Sequence, residues 1–228
     1  MASSQAKFYG ALALIVIVGA ALIGYVLVND RQQQTSDPEY GTEPLAPEGE
    51  LVSADVGVSI GAEDAPVVIE EYADYLCPYC GMVAQLTVPQ ILERYVETGK
   101  ARLVFFDFPV HPGDKSILGA EAARCAGDQG AFWQMNKQLM MGMREWGEER
   151  DPRDTFRRYA QALGLDGNAL SECIDSGKYR QVVMTSQLRA RQLGLSGTPT
   201  FIINGRRVGE AMGFDQMAAI IEEELAKQ

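Results

Sequence analysis

Histidine and cysteine are scarce in these 228 residues: one of the first, His111, and four of the second. A structural zinc site needs four ligands at close spacing. Beyond Cys77-Pro78-Tyr79-Cys80 the chain offers only Cys125, Cys173 and His111, none of them in a C-x-x-C or H-x-x-x-H pattern. Zinc is left without a ligand set. Positive charge is also short, with 20 Lys and Arg against 31 Asp and Glu, a net charge of −11. Nucleic-acid binding wants a basic face, so that class is disfavoured, and the acidity serves solubility. Long apolar runs are missing too, with one exception at the amino terminus, and no cysteine follows that run to accept a lipoprotein anchor.

The exception is residues 10–28, which carry no charge over 19 positions. That is long enough to cross a bilayer as a helix. A cleavable signal usually has a shorter apolar stretch and a small-x-small site, whereas this run is followed by Asn29-Asp30-Arg31-Gln32. An uncleaved anchor is the expectation. Lys7 precedes the span, and Asp37, Glu39, Glu43, Glu48 and Glu50 dominate after Arg31. The expected topology is therefore a cytoplasmic tail at 1–9 and the rest of the chain outside. Residues 29–50, with Gln32-Gln33-Gln34, three prolines and several acids, read as a linker. It is too short for a dimerisation domain, and a monomer is expected.

Cys77-Pro78-Tyr79-Cys80 directly follows the apolar run Pro66-Val-Val-Ile-Glu-Glu-Tyr72. If a helix starts at Cys77, Pro78 sits at its first position, where a missing N–H costs nothing. Cys80 then falls over the same face, so the two sulfurs can bond in place. Cys77 meets the unpaired N–H groups and positive pole of the helix, which favour its thiolate and make it the nucleophile. Cys80, one turn in and shielded, is the resolving thiol. The chemistry read from the pair is dithiol/disulfide exchange.

The globular pattern begins at Leu51. A short edge strand is predicted at 56–60, a parallel strand buried on both faces at 66–72, and a helix at 77–98 bent at Pro89 and stopped by Gly99. Residues 101–108 read as a second strand, closing a right-handed parallel crossover. Helical runs fill 116–126, 131–143, 152–163, 169–175 and 179–193. Strand signals return at 200–203, turn through Asn204-Gly205 into 206–208, and give way to a last helix at 215–227 with Asp215 as N-cap.

This α/β order resembles the thioredoxin fold with an inserted helical domain at about 116–193, preceded by one transmembrane helix. The family it is similar to is the DsbA-type thiol-disulfide oxidoreductases, in their membrane-anchored branch. The resemblance covers residues 51–228. It rests on residues 68–80, Phe106-Asp-Phe-Pro109, residues 122–133, and Gly197-Thr-Pro-Thr-Phe-Ile-Ile-Asn-Gly205. It implies that Thr198-Pro199 forms the cis-proline loop facing the disulfide and, with Pro78 and Tyr79, contacts substrate. It implies a carboxylate beneath the active site that exchanges a proton with Cys80; Glu71 is the choice, although strand alternation leaves Glu70 open. It implies a structural disulfide between Cys125 and Cys173, as in some members. Asp74 and His111 read as loop residues, and the methionines near Trp133 and Trp146 as core. Tyr79 departs from the histidine of the best-known DsbA dipeptide and removes one cationic neighbour of the thiolate.

The expected protein is an oxidase held at the cytoplasmic membrane, with its catalytic domain on the periplasmic or extracellular side. It would introduce disulfides into exported proteins and need no cofactor, and the resemblance implies recycling by a membrane quinone-linked thiol oxidase. An isomerase, a reductase serving cytochrome maturation, and a Cu(I)-binding thioredoxin-like chaperone are the alternatives.

Overall fold

A computed structural model describes residues 53–228 together with Gly19, Leu22, Gly24 and Tyr25. The chain divides into two compact units, Met1–Tyr40 and Gly41–Gln228. The expected anchor at 10–28 and linker at 29–50 lie almost wholly outside the described residues, among which no helix is long and apolar enough to cross a membrane.

Everything in the second unit is arranged around β2, Val67–Ala73. Its run of Val, Ile, Tyr and Ala has apolar side chains on both pleated faces, which suits a strand covered on both sides. β2 lies parallel to β3, Ala101–Asp107, with Ile69 opposite Leu103 and Glu71 opposite Phe105. On its other side it pairs antiparallel with β4, Thr200–Ile203. The short β1, Val58–Ile60, closes one edge against β3, and β5, Arg206–Glu210, closes the other against β4. Asn204 and Gly205 both take positive φ, 48° and 79°, as a two-residue primed hairpin turn demands.

The helices are α1 Pro78–Leu86, α2 Val88–Ile91, α3 Lys115–Gly127, α4 Phe132–Met141, α5 Met143–Trp146, α6 Arg153–Ala162, α7 Gly167–Asp175, α8 Arg180–Gln192 and α9 Phe214–Leu225. The predicted single helix over 77–98 is in fact α1, α2 and a π-turn at Leu92–Val96. Its break falls at Thr87, two residues before Pro89. Pro89 has no N–H to give to the carbonyl of Gln85, so the ladder fails one turn early. At the break Thr87 Oγ1 donates to Met212 O at 3.2 Å. The last helix starts earlier than predicted as well. Gly213 is its N-cap, its N–H donating to Gln216 Oε1 at 3.3 Å, and Asp215 sits inside the first turn. The 131–143 run is divided at Gly142.

Three packed clusters hold the layers. Val67, Ile69 and Leu103 meet α1, α2 and α9 through Val83, Ile91 and Ile221. Ala73 and Phe105 meet the inserted helices through Met135, Leu139, Trp146 and Phe156. On the opposite sheet face Tyr72, Phe106 and Phe108 meet Ala190 and Leu193 of and after α8, with Tyr72 stacked on Phe106 at 4.7 Å. Arg124 of α3 is buried, its Nε donating to Asp107 Oδ2 at 2.5 Å and its Nη2 to Val56 O at 2.6 Å.

Cys125 of α3 and Cys173 of α7 are joined by a disulfide that closes 48 residues of the insertion. In the chain-entropy model such a loop is worth about 4 kcal/mol. The Cys125→Ala/Cys173→Ala protein should lose stability of that order, read as a lower urea midpoint. An unchanged midpoint would show that the bond contributes nothing.

Candidate active site

α1 leaves the carboxyl end of β2 through the turn Asp74-Tyr75-Leu76, and this turn decides where the first sulfur sits. Asp74 O accepts the N–H of Cys77 at 3.0 Å. Cys77 is the N-cap of α1, with extended backbone, and Pro78 follows at the first helical position. Cys80 lies one turn in and is fully buried, while Pro78 and Tyr79 are exposed, Tyr79 to 62%. The sequence places Cys77 at the exposed end. In the structure it is 5% exposed, because the loop carrying Thr198-Pro199 covers it. That peptide bond is cis. Cys77 Sγ lies 3.1 Å from Thr198 O, to which the thiol form donates. Both sulfurs are free thiols.

The two thiols are electrostatically unlike. Cys77 is held down to about 5, chiefly because the Cys80 thiol donates to its sulfur. A hydrogen bond from Thr198 and the backbone N–H groups of Cys80 and Tyr79 add to this, against the opposing effect of burial. These amides are the unpaired N–H groups of a helix start, so the favourable pole is made of identifiable donors. Cys80 is pushed far up, first by burial and then by its hydrogen bond to Cys77.

Glu71 is 3% exposed in the middle of β2, and burial alone raises its carboxyl to about 8. Among the described residues it has no hydrogen-bond partner. It shares the floor of a small cavity with Ala84, which is one helical turn beyond Cys80 on the same face of α1. Glu70 points to the other face, where it accepts from Tyr72 Oη at 2.8 Å and Arg189 Nη2 at 3.3 Å. The ambiguity between the two carboxylates is thereby resolved by the pleat: Glu71 is on the cysteine side.

Asp74 is more than the loop residue read from the sequence. It is 1% exposed. Its Oδ1 accepts from Leu76 N at 2.8 Å and Ser116 Oγ at 2.6 Å; its Oδ2 accepts from Val110 N at 2.7 Å, His111 N at 2.9 Å and His111 Nδ1 at 2.8 Å. Burial opposes ionisation, but the bonds from Ser116, Leu76 and His111 outweigh it and leave the carboxyl below the ordinary range. One carboxylate thus ties the turn before Cys77 to the loop after β3 and to the start of α3. His111, read as a surface loop residue, is 39% exposed at its side chain and belongs to this hub. The sequence signal was there: an Asp directly after a buried strand and two residues before Leu76 is an Asx-turn position. Among the described residues, no three of His, Cys, Asp and Glu gather in a cluster that could hold a metal ion.

A five-stranded sheet with a dithiol at the head of the helix after its central strand, opposite a cis-proline loop, defines a thioredoxin-fold exchange protein. The chain belongs to the thioredoxin family, whose model matches residues 53–223. A probable disulfide bond formation protein D of Bacillus cereus is 26% identical over 220 residues, covering 95% of this chain and 94% of that protein. A Na(+)/H(+) antiporter NhaA 3 of Salinispora tropica is 35% identical over 168 residues, but these are 71% of this chain and only 24% of the antiporter. The chain thus spans about a quarter of that relative's length. Among solved structures, oxidised BdbD of Bacillus subtilis superposes with a TM-score of 0.70 at 22% identity, covering 79% of this chain and 98% of BdbD. At that identity the likeness speaks for the fold.

Proposed function

We propose that the chain is an extracytoplasmic oxidase that passes the Cys77-Cys80 disulfide to thiol pairs of exported proteins. The observation that carries this reading is the asymmetry of the two sulfurs, with Cys77 held near 5 and Cys80 far above. Stabilising a thiolate stabilises the reduced pair and makes the disulfide oxidising. At pH 7 a thiol titrating two pH units lower contributes about 2.7 kcal/mol, or roughly 60 mV in a two-electron couple.

A substrate thiolate attacks Cys77 Sγ. The Cys77-Cys80 bond breaks, and Cys80 departs and takes up a proton, for which neutral Glu71 is the donor. A second substrate thiolate then attacks the substrate sulfur of the mixed disulfide, and Cys77 leaves as the stabilised thiolate. Two electrons pass from substrate to enzyme, and the substrate acquires the disulfide. Thr198, Pro199, Pro78 and Tyr79 surround Cys77 and hold the substrate chain. No cofactor enters these steps. Reoxidation falls to a membrane quinone-linked thiol oxidase, in keeping with residues 10–28 as an anchor.

Equilibration of the full chain against glutathione, read by alkylation, tests the direction. The potential should lie well above the value of about −270 mV typical of thioredoxin, and Tyr79→His, which restores a cationic neighbour, should raise it further. A potential at or below −270 mV would reject the oxidase in favour of a reductase.

A further inference from the structure

The cavity above Glu71 is larger than a proton acceptor needs. It measures about 120 Å³ and opens between α1–α2 and α4. Its walls are mostly apolar: Ala84, Leu92, Trp133 and Met140 contribute, Glu71 and Asn136 are its buried polar side chains, and the exposed Lys137 stands at the mouth. α1 and α4 are pressed together at one end of it, where a Cβ on Gly81 would stand 3.1 Å from Met140 O.

Water fills such a space poorly. At about 30 Å³ each, several molecules would enter, and each needs two to four polar partners. Of the lining side chains only Glu71, Asn136, Trp133 and the exposed Lys137 carry polar atoms, and Asn136 Nδ2 is already committed to Tyr75 Oη at 2.9 Å. An apolar body with one polar hydrogen is better served. Apolar cavities of about 150 Å³ take a benzene ring, so the volume here suits one six-membered ring. The buried carboxyl, without a partner among the described residues, can accept from a hydroxyl and, when protonated, donate to it. Lys137 at the mouth disfavours a cationic ligand.

We propose that this cavity is a binding site for a small neutral phenol-like molecule, its ring against Trp133 and Met140 and its hydroxyl on the Glu71 carboxyl. Occupancy would also close off the carboxyl from solvent and slow exchange at Cys80; that consequence, unlike binding itself, rests on the proton role given to Glu71 above.

The test is a ¹⁹F NMR titration of the full chain with 4-fluorophenol and with fluorobenzene. 4-Fluorophenol should saturate, and fluorobenzene should bind about fivefold more weakly, the worth of one hydrogen bond. Met140→Phe and Ala84→Leu, which fill the space, should abolish both signals, and Glu71→Leu should remove the preference for the phenol. Circular dichroism selects the variants that fold, and the wild-type comparison of the two probes decides the matter even if neither filling variant does. Equal binding of the two probes, no saturation, or binding that survives a folded filling variant would overturn the site. Saturation that leaves thiol exchange unslowed would keep the site and reject the proton role of Glu71.

Discussion

Cys80→Ala should accumulate mixed disulfides with substrate, and Cys77→Ala should carry few. Covalent capture depends on which sulfur is both reachable and ionised. Cys77 retains a 5% opening beside exposed Pro78 and Tyr79, whereas Cys80 has none. At pH 7 a thiol held near 5 is almost entirely thiolate, while Cys80, pushed up by burial, is thiol. In Cys80→Ala the adduct on Cys77 loses the resolving thiol and can be released only by a second substrate or solvent thiol, so the trapped fraction should rise by at least about tenfold over Cys77→Ala, following the thiolate fractions. The substitution also removes the thiol that donates to Cys77, the largest cause of its low titration. Cys77 should therefore titrate higher in the variant than in the wild type, and iodoacetamide reactivity against pH reads this directly. Non-reducing gels report the adducts. Adducts on Cys77→Ala and none on Cys80→Ala would reverse the assignment of roles.

The order of elements was readable because the strong signals here are local. The buried apolar strand at 67–73, the Pro78 helix start and the Asn204-Gly205 turn each follow from neighbouring residues. What escaped depended on distant partners. Pro89 announces a break, but its position at Thr87 depends on the carbonyl that Pro89 leaves unpaired and on Met212, far along the chain. Alternation could not choose between Glu70 and Glu71, and it is Tyr72 and Arg189 of α8, which claim Glu70 on the other face, that separate them. The shielding of Cys77 comes from Thr198, 121 residues away. Asp74 was underestimated in part for the same reason. Only its Leu76 donor is local; the others come from residues 110, 111 and 116, which no local pattern connects to residue 74. The fold was thus legible in short segments, as was the chief cause of the low Cys77 value, Cys80 three residues on; tertiary structure added the Thr198 loop over Cys77 and the hub around Asp74.

Glu71→Gln should make the protein more stable and, at the same time, slower. The carboxyl titrates near 8 in the folded chain against 4.5 for an ordinary glutamate, and burial is the cause. Its folded value is raised, so between about pH 4.5 and pH 8 the unfolded state binds fewer protons than the folded one, and stability falls as pH rises through that window. Glu71 costs nothing at pH 4. At pH 7 the interval from 4.5 corresponds to about 3 kcal/mol, and above pH 8 to nearly 5 kcal/mol, both as upper values. The amide is never ionised and escapes this cost. Urea unfolding of Glu71→Gln and wild type at pH 4, 7 and 9 should therefore give curves that coincide at pH 4 and diverge progressively above it. A carboxyl that has no hydrogen-bond partner among the described residues and destabilises its own fold is most simply retained for chemistry. Loss of the proton donor should slow the departure of Cys80 by about a hundredfold at pH 7, within the usual range for general acid catalysis. The single-turnover rate of mixed-disulfide formation should show an inflection near pH 8 in the wild type that the variant lacks. A purely structural Glu71 would shift stability and leave the shape of that rate profile intact, which would remove Glu71 from the mechanism.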